Sequence, residues 1–168
     1  MAIINNYIYD SNTSTVFYGS YDTQWLGIAK TPQETWSLAT QDQINNYLLK
    51  PAIDKISKQI SQDRQILQYS NITYNGNIFS ATQTAIQNLN AIVTLTIGSG
   101  QASSNSTFVW LDINNNSISM KFSDLISFGG IVANRTNSLY VQDAKFQNEL
   151  KKLSTIDEVN NFKYKFIL

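Results

Sequence analysis

The sequence contains no histidine and no cysteine. Without these side chains there is no Ser-His-Asp or Cys-His catalytic set, no thiolate nucleophile, no haem attachment, no iron–sulfur cluster and none of the usual zinc sites. Disulfide bonds are excluded as well. We therefore expect a protein that is not an enzyme and that binds no metal or other cofactor.

Charge is also scarce. Charged residues make up 14% of the chain, against about 25% in typical soluble proteins. Twelve basic and twelve acidic side chains cancel, and the only arginines are Arg64 and Arg135. A nucleic-acid binder needs a basic stripe that displaces counterions from phosphates, and this sequence has none. We expect no nucleic-acid partner.

Long apolar runs are missing too. The most apolar stretch, Leu89–Ile97, contains three polar residues and is shorter than the roughly 20 residues that cross a bilayer. The N-terminal residues MAIINNYIYD lack the basic and apolar regions of a secretion signal. The sequence therefore predicts synthesis in the cytoplasm without insertion into a membrane.

Amides and hydroxyls take the place of charge. The chain has 19 Asn, 18 Ser, 14 Thr and 13 Gln, which together are 64 of its 168 residues. Such side chains form hydrogen bonds at interfaces without the desolvation cost of buried ions. This composition, with 42% hydrophobic residues, is typical of a structural part of an assembly. The mixture of strand and helix patterns along the chain predicts an α+β protein.

Residues 1–40 are predicted to form a small β/aromatic region. Tyr7–Tyr9 and Val16–Tyr18 flank a turn cluster and are expected to pair as a hairpin, and Thr31-Pro32 has the form of a helix start. The aromatic side chains either fill the core of this region or form a surface that stacks on sugars or docks on a partner. The candidates for such partner or glycan contacts are Tyr18, Tyr21, Trp25 and Trp36.

Residues 41–70 are predicted to form a long central helix, which is kinked or restarted at Pro51. Apolar residues recur on it at helical spacing, in a narrow stripe flanked by Lys and Gln. Such a stripe either packs within the subunit or forms a coiled coil between copies, and Ile-rich positions favour three or more strands. The candidate oligomer interface, with a trimer favoured, consists of Ile53, Ile56, Ile60 and Leu67.

Residues 71–168 are predicted to form a module in which β-hairpins pack with helices. Asn75-Gly76 is a strong turn signal between two short strands. Thr107–Leu111 is expected to pair with Ile118–Met120 across a turn rich in Asn. Asp112 superficially resembles the start of a calcium loop, but the sixth position of that loop needs Gly and is Ser117, so we interpret the segment as a turn.

Helices in this module are predicted to begin at three serines, of which the first two would serve as N-caps. These are Ser80, Ser123 and Ser154. Gly129-Gly130 is a weak point in the second of the three helices. The alternation of FKYKFIL predicts an edge strand over residues 162–168.

The order of elements between residues 72 and 159 resembles a domain of unknown function that occurs in bacteriophage tail and tail-fibre-associated proteins. The resemblance rests on Ile72–Phe79 leading into a helix, Phe108-x-Trp110 before a polar turn, Asp124-Leu125 opening a helix, and Ser154–Val159 near the end. A Tyr-rich start followed by a long helix is similar to the N-termini of such proteins.

The resemblance implies a virion structural protein in the viral tail, acting as an adaptor or connector in the tail, baseplate or tail-fibre attachment region. Its partners would be other tail, baseplate or fibre proteins, and it brings no catalytic residues. Two alternatives stay open. One is a tail-fibre assembly chaperone that is absent from the finished particle, and the other is a carbohydrate-binding module for receptor recognition at the host surface.

Overall fold

The structure, a computed structural model, describes residues 3–22, 36–103 and 106–168. Within these ranges it contains four helices and three small antiparallel sheets, so the expected α+β class with a long central helix is confirmed. The chain forms two compact units. Unit 1 is Met1–Lys58 with Glu149–Lys163, and unit 2 is Gln59–Asn148 with Tyr164–Leu168. The predicted division at residues 40 and 70 stays a prediction.

Unit 1 contains a three-stranded antiparallel sheet in the order β2-β1-β3. Its strands are β1 (Ile3–Asp10), β2 (Thr15–Asp22) and β3 (Trp36–Leu38). Tyr7 lies opposite Tyr18, so the predicted hairpin is confirmed. The sequence does not indicate β3, and the helix start expected at Thr31-Pro32 lies outside the described residues.

The long helix α1 (Gln41–Gln68) begins with a reciprocal cap. Thr40 Oγ1 accepts a hydrogen bond from the Gln43 N–H (3.2 Å), and Gln43 Oε1 accepts one from the Thr40 N–H (2.8 Å). Two otherwise unpaired donors are thereby satisfied. The helix is continuous through Pro51, so the alternative of a second helix starting there is wrong. Residues 41–58 belong to unit 1 and residues 59–68 to unit 2.

Unit 2 carries two hairpins and most of two helices. These elements are β4 (Ile72–Tyr74), β5 (Asn77–Phe79), α2 (Gln83–Gly98), β6 (Thr107–Leu111), β7 (Ser117–Lys121) and α3 (Phe122–Leu150). Asn75 and Gly76 have φ values of 47° and 78°, the left-handed conformation that a two-residue hairpin turn requires. Both predicted hairpins, β4–β5 and β6–β7, are confirmed.

The core of unit 2 forms between the hairpins, α2 and α3. The rings of Phe79 and Phe128 lie 5.4 Å apart, and Tyr74 lies 5.8 Å from Phe128. Full burial of each large apolar side chain contributes about 1.5–3 kcal/mol. The buried members of the cluster are Ile72, Phe79, Ala81, Leu89, Met120, Leu125, Phe128 and Val132.

Two predicted helix starts in unit 2 are displaced. The N-cap of α2 is Thr82, whose Oγ1 accepts from the Ala85 N–H (3.3 Å), so the prediction of Ser80 as cap is wrong. Helix α3 begins at Phe122, directly after β7, so Ser123 is already inside it. For α3 the end of the preceding strand fixes the start, because the Phe122 N–H still donates to Ser106 across the β6–β7 hairpin.

The short helix α4 (Ile156–Asn161) belongs to unit 1 and is capped by Thr155, so it begins two residues after Ser154, the predicted start. Thr155 and Glu158 form a capping box. Glu158 Oε2 accepts the N–H groups of Ser154 (2.8 Å) and Thr155 (3.1 Å). These bonds lower the pKa of Glu158 below its usual value, with Ser154 as the larger cause.

The segment 162–168 is not a strand, which corrects the edge-strand prediction. Within unit 2, the Gln142 side chain occupies the place of a neighbouring strand: its Nε2 donates to the Ile167 C=O and its Oε1 accepts from the Ile167 N–H, both at 2.8 Å. Tyr164 and Phe166 pack their rings 5.6 Å and 5.1 Å from Phe146. None of the helices in the described ranges is long and apolar enough to cross a bilayer.

Candidate interaction surfaces

Asp112 organises the turn between β6 and β7. Its Oδ1 accepts the N–H groups of Asn114 and Asn116, both at 2.8 Å, and its Oδ2 accepts the Asn116 side-chain amide at 2.9 Å. The bonds from Asn116 are the largest cause that lowers the pKa of Asp112 below its usual value. Asn115 has φ 63°, which Asn tolerates. The segment is a turn, as the sequence indicates.

Two hydrogen bonds show which opposite residues of β6 and β7 are hydrogen-bonded pairs. The Phe122 N–H donates to the Ser106 C=O (2.7 Å), and the Asp112 N–H donates to the Asn116 C=O (3.0 Å). Residues 106 and 122, and residues 112 and 116, are therefore hydrogen-bonded pairs. In an antiparallel ladder such pairs alternate with pairs that are not hydrogen-bonded.

The alternation decides which backbone groups of β6 point away from β7. Phe108 and Trp110 have the same parity as Ser106, so their N–H and C=O groups pair with β7. Thr107, Val109 and Leu111 direct theirs to the opposite edge. The sheet contains only β6 and β7 among the described residues, so this edge has no strand beside it there.

Two of the three exposed side chains of β6 are apolar, and Thr107 is the third. Val109 is 69% exposed and Leu111 52%, and the line continues to Ile113 and Ile78, each 42% exposed. The Ile113 N–H donates to the Ile78 C=O at 3.0 Å, which holds the two hairpins side by side. We call Val109, Leu111, Ile113 and Ile78 the apolar strip.

A groove of about 510 Å³ lies between β6 and α2. We call it the edge groove. Its lining contains no charged side chain, and two of the α2 residues are alanines, whose short side chains leave space beside the strand. The lining residues are Ser80, Ala85, Asn88, Ala91, Ile92, Val109, Trp110 and Leu111.

A second cavity, also about 510 Å³, lies between α2 and α3 and is uncharged as well. Its floor includes the buried Leu89 and Val132, and amides form much of its rim. Tyr140 lies at one end, with the Arg64 guanidinium 4.1 Å from the centre of its ring. Asp143 holds Arg64 through a 2.8 Å ion pair. The lining suits a neutral ligand, because it offers no counter-charge to an ion.

The stripe expected to join copies is partly used within the chain. Ile60 is completely buried in the single chain, so it has no surface to offer to a second copy. Ile53, Ile56 and Leu67 are half-buried. Asp63, which lies between Ile60 and Leu67 in the sequence, accepts a 2.7 Å hydrogen bond from the Tyr164 hydroxyl. An interface through the three half-buried residues stays a prediction.

The predicted aromatic contacts are described only at Tyr18. This side chain is 61% exposed, and its ring meets the edge of Tyr7 at 5.0 Å. The side chains of Tyr21 and Trp36 lie outside the description, and so does all of Trp25. The structure therefore does not show these four residues as one surface.

The sequence reasoning missed the apolar strip. The alternation of TFVWL separates Thr107, Val109 and Leu111 on one face from Phe108 and Trp110 on the other, but it does not indicate which face is exposed. Among the described residues, no group of three or more Asp or Glu side chains is arranged to hold a metal ion. The sequence matches no family model, no curated protein and no solved structure.

Proposed function

We propose that the chain is a non-enzymatic structural adaptor of a bacteriophage virion, connecting neighbouring proteins in the tail, baseplate or tail-fibre attachment region. The observation that carries the proposal is the apolar strip, whose four side chains are 42% to 69% exposed. A contiguous exposed apolar patch marks an interaction site. The virion context comes from the resemblance of residues 72–159 to phage tail proteins.

The size of the strip indicates what kind of contact it can make. Full burial of a Val, Leu or Ile contributes about 1.5–3 kcal/mol. Four such side chains, each roughly half exposed, would contribute about 3–6 kcal/mol on docking. Association costs about 4–15 kcal/mol in lost freedom, so the strip needs additional contacts or repeated copies. A symmetric particle provides repeated copies, and the neighbouring edge groove offers additional contacts.

Self-association is a further part of the proposal, with α1 as the contact and a trimer as the favoured state. Light scattering on the purified chain should then give about 57 kDa, three times 19.0 kDa. Replacing Ile53 and Ile56 by Ser should reduce this mass to that of the monomer, because it removes apolar side chains from the proposed contact. Both side chains are only half-buried in the single chain, so part of their surface is open to a second copy. A monomer for the unmodified chain at micromolar concentration would contradict self-association through α1.

A carbohydrate-binding role is the second candidate, since Tyr18 presents an exposed ring that packs against the ring of Tyr7. Exposed Tyr rings stack on sugar faces. Binding to a host-glycan array should fall for Tyr18→Ala and be kept by Tyr18→Phe. An unmodified chain that binds no glycan on the array would remove this candidate.

The adaptor is tested by its presence in the particle. Gradient-purified virions of the phage that encodes the chain should contain it in a fixed ratio to the tail proteins by quantitative mass spectrometry. Detection in the lysate but not in the virion would contradict the adaptor and favour the assembly chaperone, which the same strip would serve.

A matched pair of variants tests the strip itself. Val109→Glu places a charge within it, whereas Val141→Glu makes the same change at a position that is 62% exposed on α3, outside the strip. We expect Val109→Glu to lower incorporation into virions by at least about tenfold, because docking would bury an unpaired carboxylate. Val141→Glu should be incorporated normally. Equal incorporation of both variants would contradict docking through the strip.

A further inference from the structure

The outer edge of β6 offers a regular set of backbone hydrogen-bonding groups. Thr107, Val109 and Leu111 each direct one N–H and one C=O away from β7, by the phase of the ladder. This makes three donors and three acceptors in alternation, with no partner among the described residues. Only the backbone of another extended segment matches that spacing of partial charges.

The same edge already accepts an extended segment one position further on. Ile113 follows Leu111 by two residues, so its N–H also points away from β7. This N–H donates to the Ile78 C=O of β5 at 3.0 Å. An incoming strand along residues 107–111 would thus extend a contact that the fold itself makes at the end of this edge.

The edge groove provides room for the side chains of such a strand. In a paired strand, successive side chains point to opposite faces. One set would lie beside Val109 and Leu111 on the outer face. The other set would enter the groove, where Ala85 and Ala91 leave space and Trp110 and Ile92 provide apolar contact. The lack of charge in the groove favours uncharged side chains.

We propose that the edge groove binds an extended, uncharged segment of a partner protein as a third strand beside β6. Main-chain pairing of this kind gives affinity, and pockets for alternate side chains give specificity. The inference rests on the proposed function only for the identity of the partner, a neighbouring protein of the same particle. Up to six hydrogen bonds, two from each of three residues, would add to the burial of the strip.

A second copy of this chain fits the groove less well than a separate segment. If β6 of a second copy paired here, its Phe108 and Trp110 would have to face the groove. These two side chains already pack against the core of their own unit, so they are not free to enter another. A single extended segment has no such prior contacts.

The test uses the chain with synthetic peptides. The probe is a set of capped heptapeptides with Lys at both ends and five central residues drawn from Ala, Val, Ile, Thr and Asn. Binding is followed by fluorescence anisotropy, and the amide shifts of Thr107, Val109 and Leu111 are followed by NMR. The tightest peptide is then remade with N-methyl groups on alternate residues, in both parities. A further version carries Glu in place of two central residues.

We expect one parity of N-methylation to weaken binding at least tenfold, because it removes the donors that face β6. The other parity should change binding less than about twofold, since its N–H groups face away. The Glu peptide should bind at least tenfold more weakly. Equal binding by the two methylated forms would mean apolar contact without strand pairing and would overturn the proposal. So would the failure of every peptide to bind.

Two proline variants provide the matched control on the protein. Val109→Pro removes the central outward donor of β6, whereas Ser119→Pro removes the donor opposite to it, on the other edge of the same hairpin. Val109→Pro should abolish peptide binding and Ser119→Pro should keep it; equal losses would contradict the proposal. If Val109→Pro does not fold, the methylated peptides decide the question with the unmodified chain. If no peptide binds but the chain is present in purified virions, the strand-pairing proposal is overturned and the adaptor proposal is not.

Discussion

Arg135 should stabilise unit 2 because its guanidinium caps the end of α1. Its Nη2 donates to the Gln68 C=O at 2.7 Å, and its Nη1 donates to Ser70 Oγ at 3.1 Å and to the Asn71 C=O at 3.4 Å. Gln68 is the last residue of α1. The carbonyls there have no intrahelical partner and carry the negative end of the helix dipole.

The loss of stability expected on replacing Arg135 follows from these hydrogen bonds. A hydrogen bond from a charged donor contributes about 1.5–3 kcal/mol. The bonds to Gln68 (2.7 Å) and Ser70 (3.1 Å) have ordinary lengths, whereas the contact with Asn71 (3.4 Å) is long. Burial opposes the gain: it lowers the pKa of Arg135 below its usual value, and the buried Nε atom has no hydrogen-bond partner among the described residues. We expect Arg135→Met to lower the free energy of unfolding by about 2 kcal/mol. Arg135→Lys keeps the charge and should lose about 1 kcal/mol.

Urea unfolding measures the effect. Trp110 is the only tryptophan in unit 2, so its fluorescence reports on that unit once Trp25 and Trp36 are replaced by Phe. With a slope of about 2 kcal/mol per molar urea, Arg135→Met should shift the midpoint by about 1 M. Lys145 is an exposed residue on the same helix, so Lys145→Met should change the free energy of unfolding by less than about 0.5 kcal/mol. An equally small effect of Arg135→Met would refute the capping role.

Three further predictions concern other parts of the chain. Leu125 is fully buried, so Leu125→Ala should lower the free energy of unfolding, measured in urea, by about 3 kcal/mol. Ile126 is 48% exposed, so Ile126→Ala should lower it by less than about 1 kcal/mol. Burial is the largest cause that raises the pKa of Tyr164 to about 12, followed by the hydrogen bond to Asp63 and the charge of Asp63. The contribution of the protonated Tyr164 to the free energy of unfolding is therefore fully present below pH 10 and is lost as the pH rises from 10 to 12. Allowing for solvent screening, the unmodified chain should lose about 1 kcal/mol more than Tyr164→Phe between pH 9 and 12; equal losses would contradict this. Thr155→Ala should cost about 1 kcal/mol by removing the N-cap of α4, and Thr155→Ser should restore most of it.

The hairpins could be predicted because their signals are local. Asn75-Gly76 and Asn115 adopt left-handed conformations that few other residues accept, so the turns are encoded where they occur. Strand pairing on either side then follows from the turn. Helix α3 differs, because Gly129-Gly130 lowers the local helix propensity and the helix is nevertheless continuous.

The features that could not be predicted depend on residues distant in sequence. The last segment alternates like a strand, but Gln142 satisfies the backbone of Ile167 through its side chain. Ile60 looks available for a coiled coil, but its own chain covers it completely. Nor does the alternation of TFVWL say which face is buried. The larger rings of Phe108 and Trp110 pack against the core, and Val109 is left exposed.

Amide hydrogen exchange along β6, followed by NMR on the free chain, measures directly whether the outer edge of the strand is open. Phe108 and Trp110 donate to β7, so we expect their amides to be protected at least about tenfold more than those of Val109 and Leu111. That result would establish the edge on which docking of a partner depends. Equal protection of all four amides would show that the edge is already covered and would contradict docking there.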